Sequence, residues 1–492
     1  MERARNRGPA AREKCAPPPH VTHTHNDDND AHPHSAPEPM IRLRPALARQ
    51  TPAARVAQFS TAALRQAGRK THLPLLATVT AGLGLAAYLS ATTAHTHQED
   101  VSILSEINQR LIRLEDAVIK YNGFLAKIAE VKKSHPGNLA AKHFDAAYFH
   151  GLLPELKQRL YRVCKSGTEN ADSSMGCYAM YPDDYDVLRP FFDPVIKEYH
   201  KVKGDVHHHT NWDLASVSDP ELPAGNKLDL TKLGLGTTSM RVRVGRNLEA
   251  FPLPGAQSKE QRIQMEKQLV GAFEKLMADP AYGGSYYSLT PGTKYTITPE
   301  KYQSLVDAHV MFKDMAADEY LASAGIASSW PYGRGAYQSA DGGFIVWVGE
   351  EDHLRIMCMK KGTVLNDVFD RLKGACDVVE KIAGKFAHSK DYGYVTSCPT
   401  NLGTGMRASI HIKVPNLTAD GTEAKAKAIC KPLGLSVRGV GGEHTPIGKD
   451  GTIDLSPSAR LQITEAEIVA SLYKGIARLL KAEEEAGGKA KL

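Results

Sequence analysis

The sequence is poor in cysteine, and none of its seven cysteines belongs to a CxxC pair. This scarcity argues against a disulfide scaffold and a zinc ribbon, and it suits free thiols in a reducing compartment. Long apolar runs are also scarce, which argues against a polytopic membrane protein. The chain lacks a GxxxxGK[ST] motif and the catalytic-loop motifs of eukaryotic protein kinases, so neither of those phosphate sites is expected.

The composition that remains is typical of a globular protein, with 42% hydrophobic and 24% charged residues. A length of 492 residues leaves room for two domains and a tail. The net charge of +6 is uneven, because the first 100 residues hold 12 Lys/Arg against 8 Asp/Glu. The rest of the chain is nearly neutral, so no nucleic-acid partner is predicted.

The first 100 residues are predicted to form a disordered leader with a targeting signal. Residues 1–39 are rich in Pro, His and Asp and have no apolar periodicity. From Pro39 to Gln98 there is no acidic residue while arginines recur, which is typical of a mitochondrial presequence that begins at Met40. The 19 uncharged residues 73–91 follow, and their length is just enough to cross a bilayer.

This arrangement predicts the mitochondrial intermembrane space or inner membrane, with membrane association through residues 73–91. A low-complexity tail without an address, and hence a cytoplasmic protein, is the alternative. Whether Met1 or Met40 starts the protein stays open at this stage, as does the oligomeric state.

The body of the chain is predicted to be α+β. Helical periodicity from residue 101 indicates a small all-α domain over residues 101–205. The Pro- and Asp-rich residues 206–230 resemble a linker, in which His207–His209 are expected to be solvated. Residues 231–492 alternate strand and helix patterns and are predicted to form a larger domain of antiparallel sheet flanked by helices.

Several elements of the larger domain can be placed from their patterns. The apolar residues 343–349 and the LRIMCM segment after them indicate a hairpin of two strands. Residues 364–383 carry an apolar helical stripe that includes Ile382. Ser258 with Gln261, and Thr464 with Glu467, are capping boxes that predict the starts of two more helices.

Two strands are predicted to place cations on one face of the sheet. In SMRVRVG, Arg241 and Arg243 share a face opposite Val242 and Val244. In MRASIHIKV, the residues Arg407, Ser409, His411 and Lys413 lie opposite an apolar set. Arginines concentrated on a sheet face suit a polyphosphate ligand, because the planar guanidinium binds phosphate oxygens in pairs.

The motifs in these regions resemble those of the phosphagen (ATP:guanidino) kinase family, most closely its arginine kinases. The matching segments are CPTNLGT (398–404), MRVRVGR (240–246), WPYGRG (330–335), VWVGEEDHLRI (346–356), MRASIHI (406–412) and VRGVGGEHT (437–445). The resemblance covers roughly residues 115–485. It implies a small helical domain, a glutamine-synthetase-like catalytic domain, a guanidino substrate, and ATP or ADP with Mg²⁺.

The resemblance also implies the site residues. Glu351 and Glu443 would grip the substrate guanidinium beside the thiol of Cys398, and these three are the predicted catalytic residues. Asp352 would lie near Mg²⁺, reached through water, and no residue is predicted to bind the metal directly. The other predicted substrate-binding residues are Ser173, Ser174, Met175, Gly176, Cys177 and Tyr178. The predicted ATP-binding residues are Ser239, Met240, Arg241, Val242, Arg243, His309, Arg355, Arg407, Ala408, Ser409, Ile410, His411, Arg438, Gly439, Val440, Gly441, Gly442 and Glu443.

These groups match the chemistry of phosphoryl transfer to a guanidine. A carboxylate can orient the guanidinium and accept its proton as nitrogen attacks the γ-phosphorus. Positive charge around the transferring phosphoryl group supplies most of the remaining stabilisation of the transition state. Because Cys398 is expected close to the arginines, its pKa is predicted to be lowered.

The choice of substrate follows from a loop and from one of the carboxylates. The loop 166–179 is short, as in arginine kinases, and creatine kinases carry a valine where this chain has Glu443. Both features favour L-arginine, while creatine, taurocyamine or lombricine, and a structural role at a membrane, stay open as alternatives. A protein-arginine kinase is less favoured, because the small-substrate domain is present.

Two departures from the family pattern affect domain closure. Glu319 replaces a basic residue that pairs in relatives with an acid matching Asp172, so closure is expected to use other contacts. Gly441 also replaces a basic residue. The glycine-rich loop 437–448 is predicted to close over bound substrates.

Overall fold

In the computed structural model the described residues are 98–440 and 445–487, with side chains described from residue 105 onward. Gly441, Gly442 and Glu443 lie outside them, as do the leader, the presequence and residues 73–91, which all stay predictions. No helix among the described residues has the length and apolar character needed to span a membrane.

The N-terminal part is helical and begins with a 37-residue helix. Asn138 and Asp145 cap the second and third helices, each accepting main-chain N–H hydrogen bonds with its side chain. The helices of this part, among the described residues, are α1 (Gln98–Ser134), α2 (Leu139–His143), α3 (Ala146–Gly151), α4 (Pro154–Glu169), α5 (Asp184–Val187) and α6 (Arg189–His200). Their apolar faces enclose a core that includes Phe124, Leu160 and Phe192. The predicted small helical domain is therefore confirmed.

The larger part is built on an eight-stranded antiparallel sheet in the order β2-β3-β4-β5-β1-β8-β10-β9. Its strands are β1 (Thr238–Arg246), β2 (Ser285–Ser288), β3 (Gly335–Gln338), β4 (Phe344–Val348), β5 (Leu354–Gly362), β8 (Met406–Lys413), β9 (Leu435–Arg438) and β10 (Thr452–Pro457). A separate two-stranded sheet joins β6 (His388–Ser389) to β7 (Gly393–Tyr394). The predicted hairpin is β4 and β5, which pair antiparallel.

Long helices cover one face of the large sheet. The helices of this part are α7 (Lys259–Ala278), α8 (Pro299–Asp307), α9 (Glu319–Ser323), α10 (Leu365–Ala383), α11 (Ala424–Cys430) and α12 (Glu465–Ala486). Val242 and Val244 of β1 share one core with Phe273 of α7 and Leu472 of α12. The opposite face of the central strands, which carries the cations, is thereby left open for a ligand.

The helix predictions agree with the structure except at one position. Both predicted capping boxes are present at the starts of α7 and α12. The α10 stripe is buried from Leu365 to Val379, but Ile382 is 39% exposed, so its assignment to the stripe was wrong. The buried stripe continues from Val379 to Ala383, four residues later, and Ile382 lies beside it.

The segment predicted as a linker packs against the larger domain. Leu214, Leu228 and Leu230 belong to its core. The expectation that the histidine run is solvated was wrong for His208, which is 3% exposed. Burial, with the nearby His388, lowers the pKa of His208 to about 4, so this ring is neutral at physiological pH.

Candidate active site

Arginines line the open face of the central strands. In the pairing of β1 with β8, Arg243 lies directly opposite Arg407, and Arg241 lies opposite Ser409. The strand alternation puts their valine neighbours in the core, as predicted. Like charges opposite each other destabilise a sheet, so this arrangement is expected where an anion supplies the compensating charge.

Two of these arginines have no ion-pair partner among the described residues. Neither Arg241 nor Arg243 makes a hydrogen bond or ion pair with any residue in the part of the chain that the structure describes. Burial lowers the pKa of Arg243 well below its usual range, and the nearby Arg355, Arg241 and Arg407 lower it further. The two side chains are therefore available for an anionic ligand.

The other two central arginines are paired with acids. Arg407 donates to Asp454 at 2.7 Å and to Ser456 Oγ at 3.1 Å. Arg355 lies 3.0 Å from Glu350 and 3.5 Å from Glu351. Burial opposes its charge, but these acids outweigh that effect and raise the pKa of Arg355. Arg355 therefore stands between the arginines and the acids.

The predicted ATP-binding residues divide into three groups. The first group lines a cavity of about 340 Å³ together with the arginines and consists of Ser239, Ser409, His411, Arg438 and Val440. His309 lines an adjoining cleft of about 900 Å³.

The remaining ones do not all face the cavity. Four of them have side chains in the core, namely Met240, Val242, Ala408 and Ile410. Only the main chains of these four residues could contact a nucleotide. Gly439 is buried under Thr445, whose carbonyl oxygen would be 1.9 Å from a Cβ at that position. The predicted ATP-binding residues Gly441, Gly442 and Glu443 lie outside the described residues.

The predicted substrate loop is fixed to both parts of the protein. Tyr178 N–H donates to Val163 O at 3.1 Å in α4, and Ala179 N–H donates to Ser397 O at 2.8 Å in the large domain. Gly176, with φ of 73°, allows close contact with Asn138, because a Cβ there would lie 2.3 Å from Asn138 Oδ1. This left-handed conformation is one that glycine adopts readily.

Three of the four main-chain donors predicted in this loop have no internal acceptor among the described residues. Gly176 N–H donates to Ser173 Oγ at 3.0 Å, so it is already used. The N–H groups of Ser174, Met175 and Cys177 have no acceptor within residues 98–440 and 445–487. Three amides can therefore receive an anionic group of a substrate.

Cys398 lies beside this loop but has a different chemical state from the one predicted. Thr400 Oγ1 donates to its sulfur at 3.2 Å. Burial and the nearby Glu351 raise the pKa of the Cys398 thiol to about 12. The prediction of a lowered pKa was wrong, because loss of water and an adjacent carboxylate outweigh the more distant arginines.

Glu351 and Asp352 form a largely buried acidic pair next to Arg355. The Glu351 side chain is 17% exposed, and burial with the nearby Asp352 and Glu350 raises its pKa to about 8. Asp352 Oδ1 accepts from Asn247 Nδ2 at 2.8 Å and from Ser397 N–H at 2.7 Å. A guanidinium would supply the missing positive charge.

The acids do not gather into a metal cage. Among the described residues, no group of three His, Cys, Asp or Glu side chains is placed to hold a metal ion. Asp352 Oδ2 remains without a hydrogen-bond partner in that part of the chain, beside Gly245. This arrangement fits Mg²⁺ that is bound by phosphates and water, with Asp352 as an outer contact.

The inter-domain contact at Asp172 is made by a tyrosine. Tyr320 of α9 donates its hydroxyl to Asp172 Oδ2 at 2.9 Å. Asn170 Nδ2 donates to Ser323 Oγ at 2.8 Å, and Ser166 Oγ donates to Tyr320 O at 3.0 Å. Hydrogen bonds without a cationic partner thus join α4 and the substrate loop to α9, where relatives are expected to use an ion pair.

Three site residues were not singled out from the sequence. Glu350 pairs with Arg355, and its place in the run of acids 350–352 was an available signal. Asp454 of β10 pairs with Arg407. Arg460 interacts electrostatically with Arg438, Cys398 and Glu351. It lies in the segment between β10 and α12, and nothing local in the sequence distinguishes it.

Comparison with known proteins agrees with this geometry. Residues 136–197 match the family model "ATP:guanido phosphotransferase, N-terminal domain", and residues 264–486 match the model of its C-terminal catalytic domain. An arginine kinase of Turbo cornutus is 40% identical over 324 residues, which is 66% of this chain and 85% of the relative. An arginine kinase of Homarus gammarus is 38% identical, covering 71% of this chain and 93% of the relative.

Solved structures of other members are similar as well. The substrate-free duplicated taurocyamine kinase from Schistosoma mansoni superimposes with a TM-score of 0.63 and 33% identity, over 75% of this chain and 50% of that one. A lombricine kinase gives a TM-score of 0.60 and 26% identity, over 72% and 94%. The fold and the site therefore define a phosphotransferase. The chain belongs to the ATP:guanido phosphotransferase family, whose members act on ATP and a guanidino compound.

Proposed function

We propose that this enzyme transfers the γ-phosphoryl group of MgATP reversibly to L-arginine, giving phosphoarginine and ADP. One observation carries the proposal: three main-chain amides of the loop Ser173–Tyr178 have no acceptor among the described residues, and Tyr178 of the same loop lies near Cys398 and Glu351. Amides suit the α-carboxylate of an amino acid, and the buried carboxylate suits its guanidinium. The arginine kinases among its relatives support the same substrate.

In the proposed reaction each half of the site has its own task. The unpaired arginines Arg241 and Arg243 bind phosphate oxygens and offset the charge of the transferring group. Glu351 orients the guanidinium and accepts its proton as the nitrogen attacks. Mg²⁺ would be bound by the nucleotide phosphates with Asp352 as a water-mediated contact, where it neutralises phosphate charge.

We infer that Tyr178 recognises the amino-acid end of the substrate. Burial and the nearby Cys398 and Glu351 raise its pKa, so its phenol is neutral. Its hydroxyl has no hydrogen-bond partner within the described ranges, and a substrate can supply one.

Taurocyamine is the second candidate substrate, because solved structures of taurocyamine kinases are similar to this chain. Its sulfonate is also an anion that main-chain amides can bind. Measurements of turnover with each compound distinguish the two candidate substrates, whereas the fold does not.

The test is a coupled assay of ADP release by the full chain with L-arginine, taurocyamine, creatine, lombricine and glycocyamine. We expect turnover with L-arginine, and a loss of about 100-fold or more in Glu351→Gln. The control is Glu274→Gln, an exposed glutamate paired with Lys294, which should keep full activity. Turnover with another guanidine alone would refute arginine as substrate, and turnover with none would refute the function.

A further inference from the structure

Asn247 is a buried amide to which the proposed reaction assigns no role. It follows directly after β1 and is fully buried. Its Nδ2 group donates to Asp352 Oδ1 at 2.8 Å and to the carbonyl oxygen of Val395 at 3.0 Å. Its Oδ1 accepts a hydrogen bond from His353 N–H at 2.8 Å. Both donors of the amide and its oxygen are thus used, and exchanging the oxygen and the nitrogen would place the oxygen against two acceptors.

The turn that follows Glu351 is also held by residues that come after Asn247. Leu248 N–H donates to His353 Nδ1 at 3.0 Å, so the ring proton lies on Nε2. This Nε2–H group donates to the carbonyl oxygen of Pro252 at 2.9 Å. Burial lowers the pKa of His353 to about 3, so the ring is neutral and keeps this tautomer. These contacts hold the turn in one conformation.

The bond from Asn247 to Asp352 also reaches the segment before Cys398. The same oxygen, Asp352 Oδ1, accepts a second hydrogen bond from Ser397 N–H at 2.7 Å. Burial raises the pKa of Asp352, and the hydrogen bonds from Ser397 and Asn247 oppose that rise. The carbonyl oxygen of Ser397 in turn accepts from Ala179 N–H of the substrate loop at 2.8 Å. One amide therefore joins the end of β1, the acidic turn and the segment that meets the substrate loop.

We propose that Asn247 is a positioning residue, which fixes Glu351 and Cys398 relative to each other without contacting a substrate itself. Glu351 directly precedes Asp352 and Cys398 directly follows Ser397, so loss of the amide shifts both groups. Misplacing reacting groups by about 1 Å can lower a rate about 100-fold. The inference rests on the proposed function, in which Glu351 orients the guanidinium.

The first test is steady-state kinetics of the full chain with Asn247→Asp, which keeps the acceptor for His353 N–H but removes both donors. We expect kcat to fall about 10- to 100-fold, while KM for MgATP stays unchanged because the amide is bonded to no phosphate-binding arginine within the described ranges. The matched control is Asn366→Asp, since Asn366 accepts from Leu228 N–H at 2.9 Å and donates to Asn226 O at 3.1 Å. Equal losses in the two variants, or a KM for MgATP that rises as kcat falls, would overturn the proposal.

The second test needs no turnover and uses a variant that adds no charge. In the substrate-free enzyme, iodoacetamide should alkylate Cys398 about tenfold faster in Asn247→Ala than in the wild type, because Val395 and Ser397 are held less firmly. Asn366→Ala should alkylate at the wild-type rate, and mass spectrometry of the Cys398 peptide measures each rate. Faster alkylation in an enzyme that turns over no guanidine would support the positioning role and refute the proposed function. Equal rates in Asn247→Ala and its control would overturn the positioning role whatever the substrate.

Discussion

Binding of the guanidino substrate should release a proton, because Glu351 holds one in the substrate-free site. Its pKa is raised to about 8 by burial and by Asp352 and Glu350. At pH 7 the carboxyl must therefore ionise before it can pair with a guanidinium. One pH unit corresponds to about 1.4 kcal/mol, so substrate affinity at pH 7 is about tenfold below its limit.

The sign and the range of this effect follow from the direction of the shift. Affinity should rise about tenfold per pH unit below pH 8 and become constant above it. Stability behaves in the opposite way: the native state binds more protons than the unfolded one between the ordinary value of 4.5 and about 8. The contribution of Glu351 to the free energy of unfolding therefore falls as pH rises through that interval.

The assay is calorimetric titration of L-arginine into the enzyme with MgADP, in buffers of different ionisation enthalpy. Near pH 7 we expect release of close to one proton, shared by the Glu351 and Asp352 pair. Glu351→Gln should abolish the release, and Glu274→Gln should preserve it. Binding without proton release between about pH 6 and pH 7.5 would refute the reasoning.

Three further predictions concern other parts of the site. Gly176→Ala should lower the free energy of unfolding by about 1–3 kcal/mol and raise KM for the guanidine. The control Gly151→Ala, where no atom lies within 4 Å of the added Cβ, should change neither quantity. Unchanged thermal unfolding of Gly176→Ala would contradict this prediction. Asp454→Asn should cost about 1.5–3 kcal/mol in urea unfolding because Arg407 loses a buried charge partner, yet ADP should bind more tightly; weaker ADP binding would contradict it. Alkylation of Cys398 in the substrate-free enzyme should be slow at pH 7 and accelerate about tenfold per pH unit, since its pKa is about 12; rapid, pH-independent alkylation would count against that value.

The parts of the fold that depend on local pattern could be predicted from the sequence. The two-residue alternation in β1 determines which side chains face the core, whatever strands lie beside it. The capping boxes at Ser258 and Thr464 likewise depend on four consecutive residues. The order of the strands could not be obtained in this way, because β1 pairs with β5 and β8, which begin more than 100 residues later.

The errors arose where distance and burial decide the chemistry. Sequence motifs indicated that Cys398 lies near arginines, but they gave no measure of the Glu351 carboxylate or of the lost hydration. In the same way, the position of His208 within a polar run concealed its burial. The hydrogen bond of Tyr320 to Asp172 joins residues 148 positions apart, and it depends on how two domains meet.

Two groups of like charge lie side by side in this site, and Arg355 connects them. It contacts Glu350 and Glu351. Burial lowers the pKa of Arg241 and Arg243, and the charge of Arg355 lowers it further. A polyphosphate at the arginines attracts Arg355 and weakens its hold on Glu351. Glu351 then has less positive charge beside it, which favours binding of the substrate guanidinium. Each substrate should therefore raise the affinity of the site for the other. Because such coupling is reciprocal, L-arginine should raise the affinity for MgATP by the same factor.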